Sequence, residues 1–259
     1  MNAAYRISHL NIDDSKFLDS QDVNLFLLDT IYTCNLHCLY CHNRRHKEKL
    51  SLSQLQSFLD KKIRHVNMFQ IGCAMEPTMD NRLLSFAKLI QQSHAKPKNS
   101  FRLQTNGTLL HKHDIPALLD AGLNNFHISF DSTDELVHKT LRGGSDLKII
   151  KSNIEHLASS HPEAKIIFVC TVNKLNLDGL NDLCKYAVFN NIQSINFRKM
   201  FYFPNSQIIK EHDTMANIAL SNDEFLLKMK EIKDAYSKSL NIIYQDDAQH
   251  EKRRKEVIS

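Results

Sequence analysis

The chain has 259 residues, of which 42% are hydrophobic and 24% are charged, and this composition excludes global disorder. The net charge of +4 is small, and the basic residues are scattered apart from a run at 252–255, so charge does not favour nucleic acid as a partner. No stretch approaches the roughly 18 apolar residues of a membrane span, and the N-terminus lacks an export pattern. We therefore expect a cytoplasmic protein with no membrane partner.

Short apolar runs alternate with helical patterns from residue 24 onward. The runs predict strands at 25–31, 66–71, 101–104, 125–130, 166–171 and 194–198. Apolar residues at three- and four-residue spacing predict helices at 51–64, 81–93, 112–121, 146–159 and 176–190, the third of them ended by Gly122. This alternation is typical of an α/β fold, and we predict a parallel partial TIM barrel of about six βα units.

We divide the chain into three parts. Residues 1–23 are predicted to form an N-terminal extension, and residues 24–205 the core barrel. Residues 206–259 contain a predicted helix at 221–239, a possible strand at 240–244 and a charged tail. We expect this last part to close the barrel, and because it is short, the open side leaves room for a substrate or partner.

Three cysteines fall within eight residues at the end of the first predicted strand. Cys34, Cys38 and Cys41 are separated by three and two residues. Thiolates are soft ligands that suit iron–sulfur clusters and zinc, and one loop with this spacing can wrap around a metal centre. Barrels place their chemistry at the carboxyl ends of strands, where this loop lies. Three ligands to a four-iron cubane would leave one iron open to a cofactor.

Two other metal sites fit the same loop. Zinc could take His37, His42 or His46 as a fourth ligand in a closed tetrahedral site, and the cysteine spacing leaves this alternative open. Residues 38–42 also match the C-x-x-C-H pattern of haem attachment. The βα alternation is wrong for a small cytochrome, and haem would leave Cys34 unexplained, so we reject that interpretation.

The cysteine spacing, with Tyr40 before the third cysteine, resembles the radical S-adenosylmethionine (SAM) superfamily. The second predicted strand leads to Glu76-Pro77, which is similar to the end of that family's Gly-Gly-Glu-Pro motif, although Ala74 and Met75 replace the glycines. The third strand leads to Thr-Asn-Gly at 105–107, which resembles a turn of the family that includes Asn106. The resemblance extends along residues 24–205.

Two further motifs follow the fourth predicted strand. Ser129 and Asp131 are two residues apart, so both would face the same side of a strand and could bind one ligand. Arg142 lies in a Leu-Arg-Gly pattern, and an arginine can pair in bidentate fashion with a carboxylate such as that of SAM. The resemblance implies cluster ligation by Cys34, Cys38 and Cys41, and cofactor-binding roles for Tyr40, Glu76, Asn106, Ser129, Asp131 and Arg142.

The resemblance also implies a chemistry. A [4Fe-4S] cluster, reduced by a donor of the flavodoxin or ferredoxin type, would cleave SAM to methionine and a 5′-deoxyadenosyl radical that takes hydrogen from a substrate. No cysteine follows Cys184, so we expect no C-terminal auxiliary-cluster extension. The substrate, peptide or small molecule, and any catalytic side chain stay unassigned. The altered glycine pair keeps one alternative open, a zinc- or Fe-S-binding barrel module without catalysis.

Overall fold

A computed structural model of the chain describes residues 4–7, 21–43, 45–202, 212–249 and 257–258. Within these ranges, strands and helices alternate along most of the chain. The strands are β1 (Ala4–Ile7), β2 (Gln21–Leu28), β3 (His37–Cys38), β4 (Ile63–Ile71), β5 (Pro97–Thr105), β6 (Asn125–Ser129), β7 (Arg142–Gly143), β8 (Lys165–Val172), β9 (Ser194–Lys199), β10 (Asn241–Gln245) and β11 (Val257–Ile258). The helices are α1 (Leu52–Lys62), α2 (Leu83–Gln92), α3 (Ile115–Asp120), α4 (Glu135–Leu141), α5 (Leu147–Ser160), α6 (Leu180–Phe189), α7 (His212–Ile218) and α8 (Asn222–Tyr236).

Nine of these strands form one sheet in the order β10-β9-β8-β6-β5-β4-β2-β1-β11. Every neighbouring pair is parallel. The six predicted strands are β2, β4, β5, β6, β8 and β9, and β10 adds a seventh beside β9, so the predicted parallel α/β sheet is confirmed. Strand β1 lies in the part predicted as an N-terminal extension and pairs with β2.

Local sequence sets where several helices begin and end. A capping box between Ser51 and Gln54 starts α1, and a second between Ser221 and Glu224 starts α8. Gly122, at φ +81°, ends α3 as predicted. The helix predicted at 176–190 begins later, at Leu180, because the Asn176 side chain bonds to backbone groups and holds residues 173–176 in a turn.

The two faces of the sheet have different environments. On β6, Phe126 and Ile128 are fully buried and belong to the main hydrophobic core, as do alternate residues of the neighbouring strands. Because side chains alternate along a strand, His127 and Ser129 face the opposite, concave side. This side therefore carries the polar residues of the sheet. Among the described residues, no helix is long and apolar enough to cross a membrane.

Candidate cofactor site

The three cysteines lie in a loop that follows β2 and is fastened at both ends. The backbone of Leu50 donates to Thr30, and Ile31 pairs with Lys49, so the loop closes on itself before α1 begins. In its middle, β3 pairs antiparallel with β7 and sets Cys38 opposite Arg142. The predicted cysteine loop therefore projects from the carboxyl end of a barrel strand and is held against the segment after α4.

The three thiols are half-buried, and Cys34 and Cys41 both act electrostatically on Cys38. Burial raises the pKa of Cys34, and it raises the pKa of Cys38 to about 11, with Cys41 and Cys34 adding to the effect on Cys38. The backbone N–H of Leu36 donates to Cys34 Sγ at 3.4 Å. Hydrogen bonds to sulfur are one of the means by which proteins tune iron–sulfur centres.

This donor set fits an iron–sulfur cluster. Three soft thiolates come from one loop, and an N–H···S contact is already in place at Cys34. No three His, Cys, Asp or Glu side chains of the described residues lie close enough together for a single metal ion.

Glu76 is buried and joins the second and third barrel strands at their carboxyl ends. Its Oε1 accepts from Thr105 Oγ1 at 2.6 Å and from the backbone and hydroxyl of Thr78, and its Oε2 accepts from the Asn106 backbone at 2.6 Å. Burial raises the pKa of Glu76, and these donors oppose the rise. Glu76 also caps the 3-10 turn Pro77–Met79. Its carboxylate thus already has four donors from the chain.

The Thr-Asn-Gly turn after β5 is bonded to the cysteine loop. Asn106 Nδ2 donates to Asn35 Oδ1 at 2.9 Å and lies 3.9 Å from Cys34 Sγ. Asn35 Nδ2 in turn donates to Thr108 Oγ1 at 2.9 Å, and Thr108 bonds to Asn106 Oδ1. The predicted residue Asn106 is therefore brought next to the first cysteine.

Asp29 is a site residue that the sequence reasoning missed. It is 2% exposed at the end of β2, and its Oδ1 accepts from the backbone of Cys73, Ala74 and Met75 at 2.8–3.2 Å. Two of them, Ala74 and Met75, stand where the related motif has glycines. The sequence did offer a signal for Asp29, because its carboxylate comes directly after the apolar run of a strand and just before the cysteine loop.

Asp131, Arg142 and Tyr40 form a buried hub between the barrel and the cysteine loop. Arg142 Nε lies 2.8 Å from Asp131 Oδ2, and its Nη2 donates to Oδ1 at 3.1 Å. The Tyr40 hydroxyl donates to Oδ2, and the backbone of Thr171 donates to Oδ1 at 2.8 Å. Burial opposes the charge of Arg142, but Asp131 outweighs it, so the pKa of the guanidinium is raised well above its usual value.

Ser129 and Asp131 have different partners. Ser129 Oγ accepts from Gln104 Nε2 at 2.9 Å on the concave face, whereas Asp131 faces the hub. On one side of the cysteine loop, the structure brings together Tyr40, Asp131 and Arg142. It joins Glu76 and Asn106 to Cys34 on the other.

A parallel βα barrel with a three-cysteine loop at a strand's carboxyl end defines a class of cluster-binding α/β proteins. The family model of the radical SAM superfamily matches residues 28–187, which is more than half of the chain. The chain belongs to the radical SAM superfamily. Members of this superfamily use a [4Fe-4S] cluster and SAM.

Named relatives and solved structures agree with this assignment. A probable GTP 3′,8-cyclase of Methanococcus aeolicus is 27% identical over 178 residues, which are 66% of this chain and 58% of that protein. The chain thus spans less than two thirds of that relative's length. Streptococcus suis SuiB bound to SAM has a TM-score of 0.67 at 14% identity, over 88% of this chain and 51% of that one. Native anSMEcpe with bound SAM and a peptide has a TM-score of 0.63 at 18% identity, over 84% of this chain and 62% of that one. These structures share the partial TIM barrel.

Proposed function

We propose that the protein is an enzyme that cleaves SAM reductively and uses the resulting radical on a substrate. The observation that carries the proposal is the attachment of the cysteine loop at three points. Cys38 pairs with Arg142 of β7, Asn106 after β5 lies beside Cys34, and Tyr40 donates to Asp131 after β6. Such attachment suits a loop that must hold a cofactor in one orientation.

Cys34, Cys38 and Cys41 would hold a [4Fe-4S] cluster, one iron of which is left for SAM. When bound there, the cluster would supply the electron for cleavage of SAM to methionine and a 5′-deoxyadenosyl radical, and that radical would take a hydrogen atom from the substrate. A flavodoxin or ferredoxin type of protein would be the electron donor.

The other predicted residues would orient SAM from two sides. Glu76 and Asn106 fix the turns beside Cys34, and backbone carbonyls of these turns would receive the amino group of SAM. Arg142 would bind the carboxylate of SAM while keeping Asp131 as its partner, since a guanidinium has five donors. Tyr40 would hold Asp131, and Ser129 would face SAM from the end of β6.

The substrate is a peptide or a small molecule. Curated relatives are named GTP 3′,8-cyclase, so GTP is the first small molecule to test. Three of the similar structures contain a peptide, which makes peptides the second class. The cytoplasmic location expected from the sequence stays a prediction.

A product assay tests the proposed function. Anaerobically reconstituted protein, dithionite and SAM are expected to yield methionine and 5′-deoxyadenosine, separated by liquid chromatography. Cys38→Ala should abolish both products. Cys184→Ala is the matched control, because Cys184 is buried in α6 within the hydrophobic core, and it should keep them. Equal yields from the two variants would contradict the proposal.

A barrel that binds zinc or a cluster without catalysis is the second candidate, favoured by Ala74 and Met75 at the positions of the related glycines. Metal analysis after anaerobic purification separates the two. Near-stoichiometric zinc without iron or sulfide would support the second candidate, and about four irons with sulfide in equal amount would support the first.

A further inference from the structure

The polar residues on the concave face of the sheet include five that we have not assigned to SAM, namely Arg102, Gln104, His127, Asn196 and Arg198. We call them the inner polar cluster. Gln104 pairs with His127 across β5 and β6, and the register continues through β8 to β9. Partners in a parallel ladder face the same side, and so do residues two apart on one strand. All five residues therefore share the concave face.

Three members of the inner polar cluster, Arg102, Gln104 and His127, lie deeper in the barrel than Ser129 of the cofactor site. His127 precedes Ser129 by two residues on β6, which is a depth of roughly 7 Å at about 3.3 Å per residue. Arg102 lies two residues before Gln104 on β5, deeper still, while Arg198 lies towards the carboxyl end of β9. The cluster therefore spans the barrel interior from near the cofactor site downward.

Several buried polar atoms of this cluster lack a partner in the part of the chain that the structure describes. His127 is 7% exposed, and both of its ring nitrogens are without a hydrogen bond. The same holds for Gln104 Oε1 and Asn196 Oδ1. A buried polar atom left unsatisfied costs about 1–3 kcal/mol, so a group of them on one inner face points to a polar ligand.

Two arginines, Arg102 and Arg198, are the charged members of the inner polar cluster, and both act on His127. Arg102 is held along the strands, with Nε donating to Ser100 Oγ at 3.0 Å and Nη2 lying 2.9 Å from Met68 Sδ. Burial, Arg102 and Arg198 lower the pKa of His127 to about 3, so its ring is neutral and offers one donor and one acceptor nitrogen. Guanidinium groups recognise carboxylates and phosphates in preference to other anions.

We propose that the inner polar cluster binds the substrate through a negatively charged group, a carboxylate or a phosphate, on a small molecule that also carries N–H or O–H donors. The charged group lies between Arg102 and Arg198, and the donors reach Gln104 Oε1 and Asn196 Oδ1. This inference rests on the proposed function, because it places the substrate below SAM inside the same barrel.

Line-broadening NMR of two simple anions tests the proposal. Inorganic phosphate (³¹P) and [¹³C]acetate are each mixed with the anaerobic holoenzyme, its cluster oxidised, at constant ionic strength. Wild-type protein should broaden the phosphate line, the acetate line or both. Arg102→Met and Arg198→Met should reduce the broadening at least about fivefold, as expected for the loss of a charge-assisted contact. Arg64→Met is the matched control, since Arg64 is exposed and pairs with Asp22 outside the cluster.

The outcomes separate the sources of the anion. Broadening of phosphate alone assigns a phosphorylated substrate, and broadening of acetate alone assigns a carboxylate; both results support the site. No broadening by the wild type, or broadening by the two methionine variants equal to that of Arg64→Met, overturns it. Arg102→Lys keeps the positive charge but lacks the planar guanidinium, so it should give intermediate broadening. This variant replaces Arg102→Met if Arg102→Met loses iron.

The SAM-cleavage assay on the same samples keeps the two proposals apart. Cleavage without anion broadening would overturn the inner polar cluster as a binding site and leave the enzyme assignment intact. Anion broadening without cleavage would overturn the proposed function and leave the anion site standing.

Discussion

The guanidinium of Arg142 lies against the carboxylate of Asp131, with Nε 2.8 Å from Oδ2 and Nη2 3.1 Å from Oδ1, and both side chains are buried. Arg142 belongs to β7, which pairs with the strand that contains Cys38. The ion pair therefore connects the end of β6 to the cysteine loop. It also keeps a positive charge next to the cofactor site.

Asp131→Asn is expected to destabilise the protein by about 3–5 kcal/mol, because it leaves the buried charge of Arg142 without its counterion. Urea denaturation measures the change. Asp182→Asn, which breaks an exposed pair with Lys185, is the control and should change stability by about 1 kcal/mol at most. A similar small loss for both variants would contradict a structural role for the hub.

Gly72→Ala is expected to destabilise the protein by at least about 1–3 kcal/mol. Gly72 has φ +85°, and a Cβ there would overlap the carbonyl oxygen of Gln104. Gly179→Ala is the control, since its φ is −82° and the nearest atom to an added Cβ is 3.6 Å away. Thermal unfolding of the two variants checks the difference, and equal melting temperatures would contradict it.

Asp29→Asn is expected to keep the cluster but weaken SAM binding about tenfold, the equivalent of about 1.4 kcal/mol. The change removes the charge that orders the backbone N–H groups of Cys73, Ala74 and Met75. Iron and sulfide content and equilibrium dialysis with SAM measure the two effects. Asp22→Asn, on the same strand but paired with exposed Arg64, should leave both unchanged. Unchanged SAM affinity in Asp29→Asn would contradict the role of this carboxylate.

The low pKa of His127 predicts a pH dependence of stability. The folded ring stays neutral down to about pH 3, whereas the unfolded ring takes up a proton near pH 6.5, so the unfolded state binds the extra proton between these values. Lowering the pH from 6.5 to 5 should therefore reduce the stability of the wild type relative to His127→Gln by about 1.4 kcal/mol per pH unit. Urea denaturation at several pH values measures this difference, and a constant difference would contradict the lowered pKa of the buried ring.

The sequence predicted the barrel well because its signals are local. Each of the six strands is a short apolar run, and Gly122 marks a helix end by itself. The first strand was placed at 25–31, but β2 ends at Leu28 because Asp29 turns to the Cys73 backbone. Helix α4 was missed because it is short and its residue Leu136 is 75% exposed, which breaks the apolar pattern.

The partners of the site residues could not be predicted, because they lie far apart in the chain. Glu76 was predicted to contact SAM, but its bonds to Thr105 and Asn106 depend on how β4 and β5 pair. Asp131 and Arg142 were each predicted as ligands of SAM, and their contact with one another follows from the packing of β7 on the cysteine loop. His127 gave no sequence signal, because a histidine in an apolar run is an ordinary core residue.

The most direct test of the account is an EPR spectrum of the anaerobically reconstituted, dithionite-reduced protein with and without SAM, alongside Cys38→Ala. The account predicts a reduced [4Fe-4S] signal in the wild type that changes shape when SAM is added, and its loss in Cys38→Ala. A signal that SAM does not alter, or a protein that holds zinc and gives no signal, would contradict the assignment of the cysteine loop as a SAM-binding cluster site.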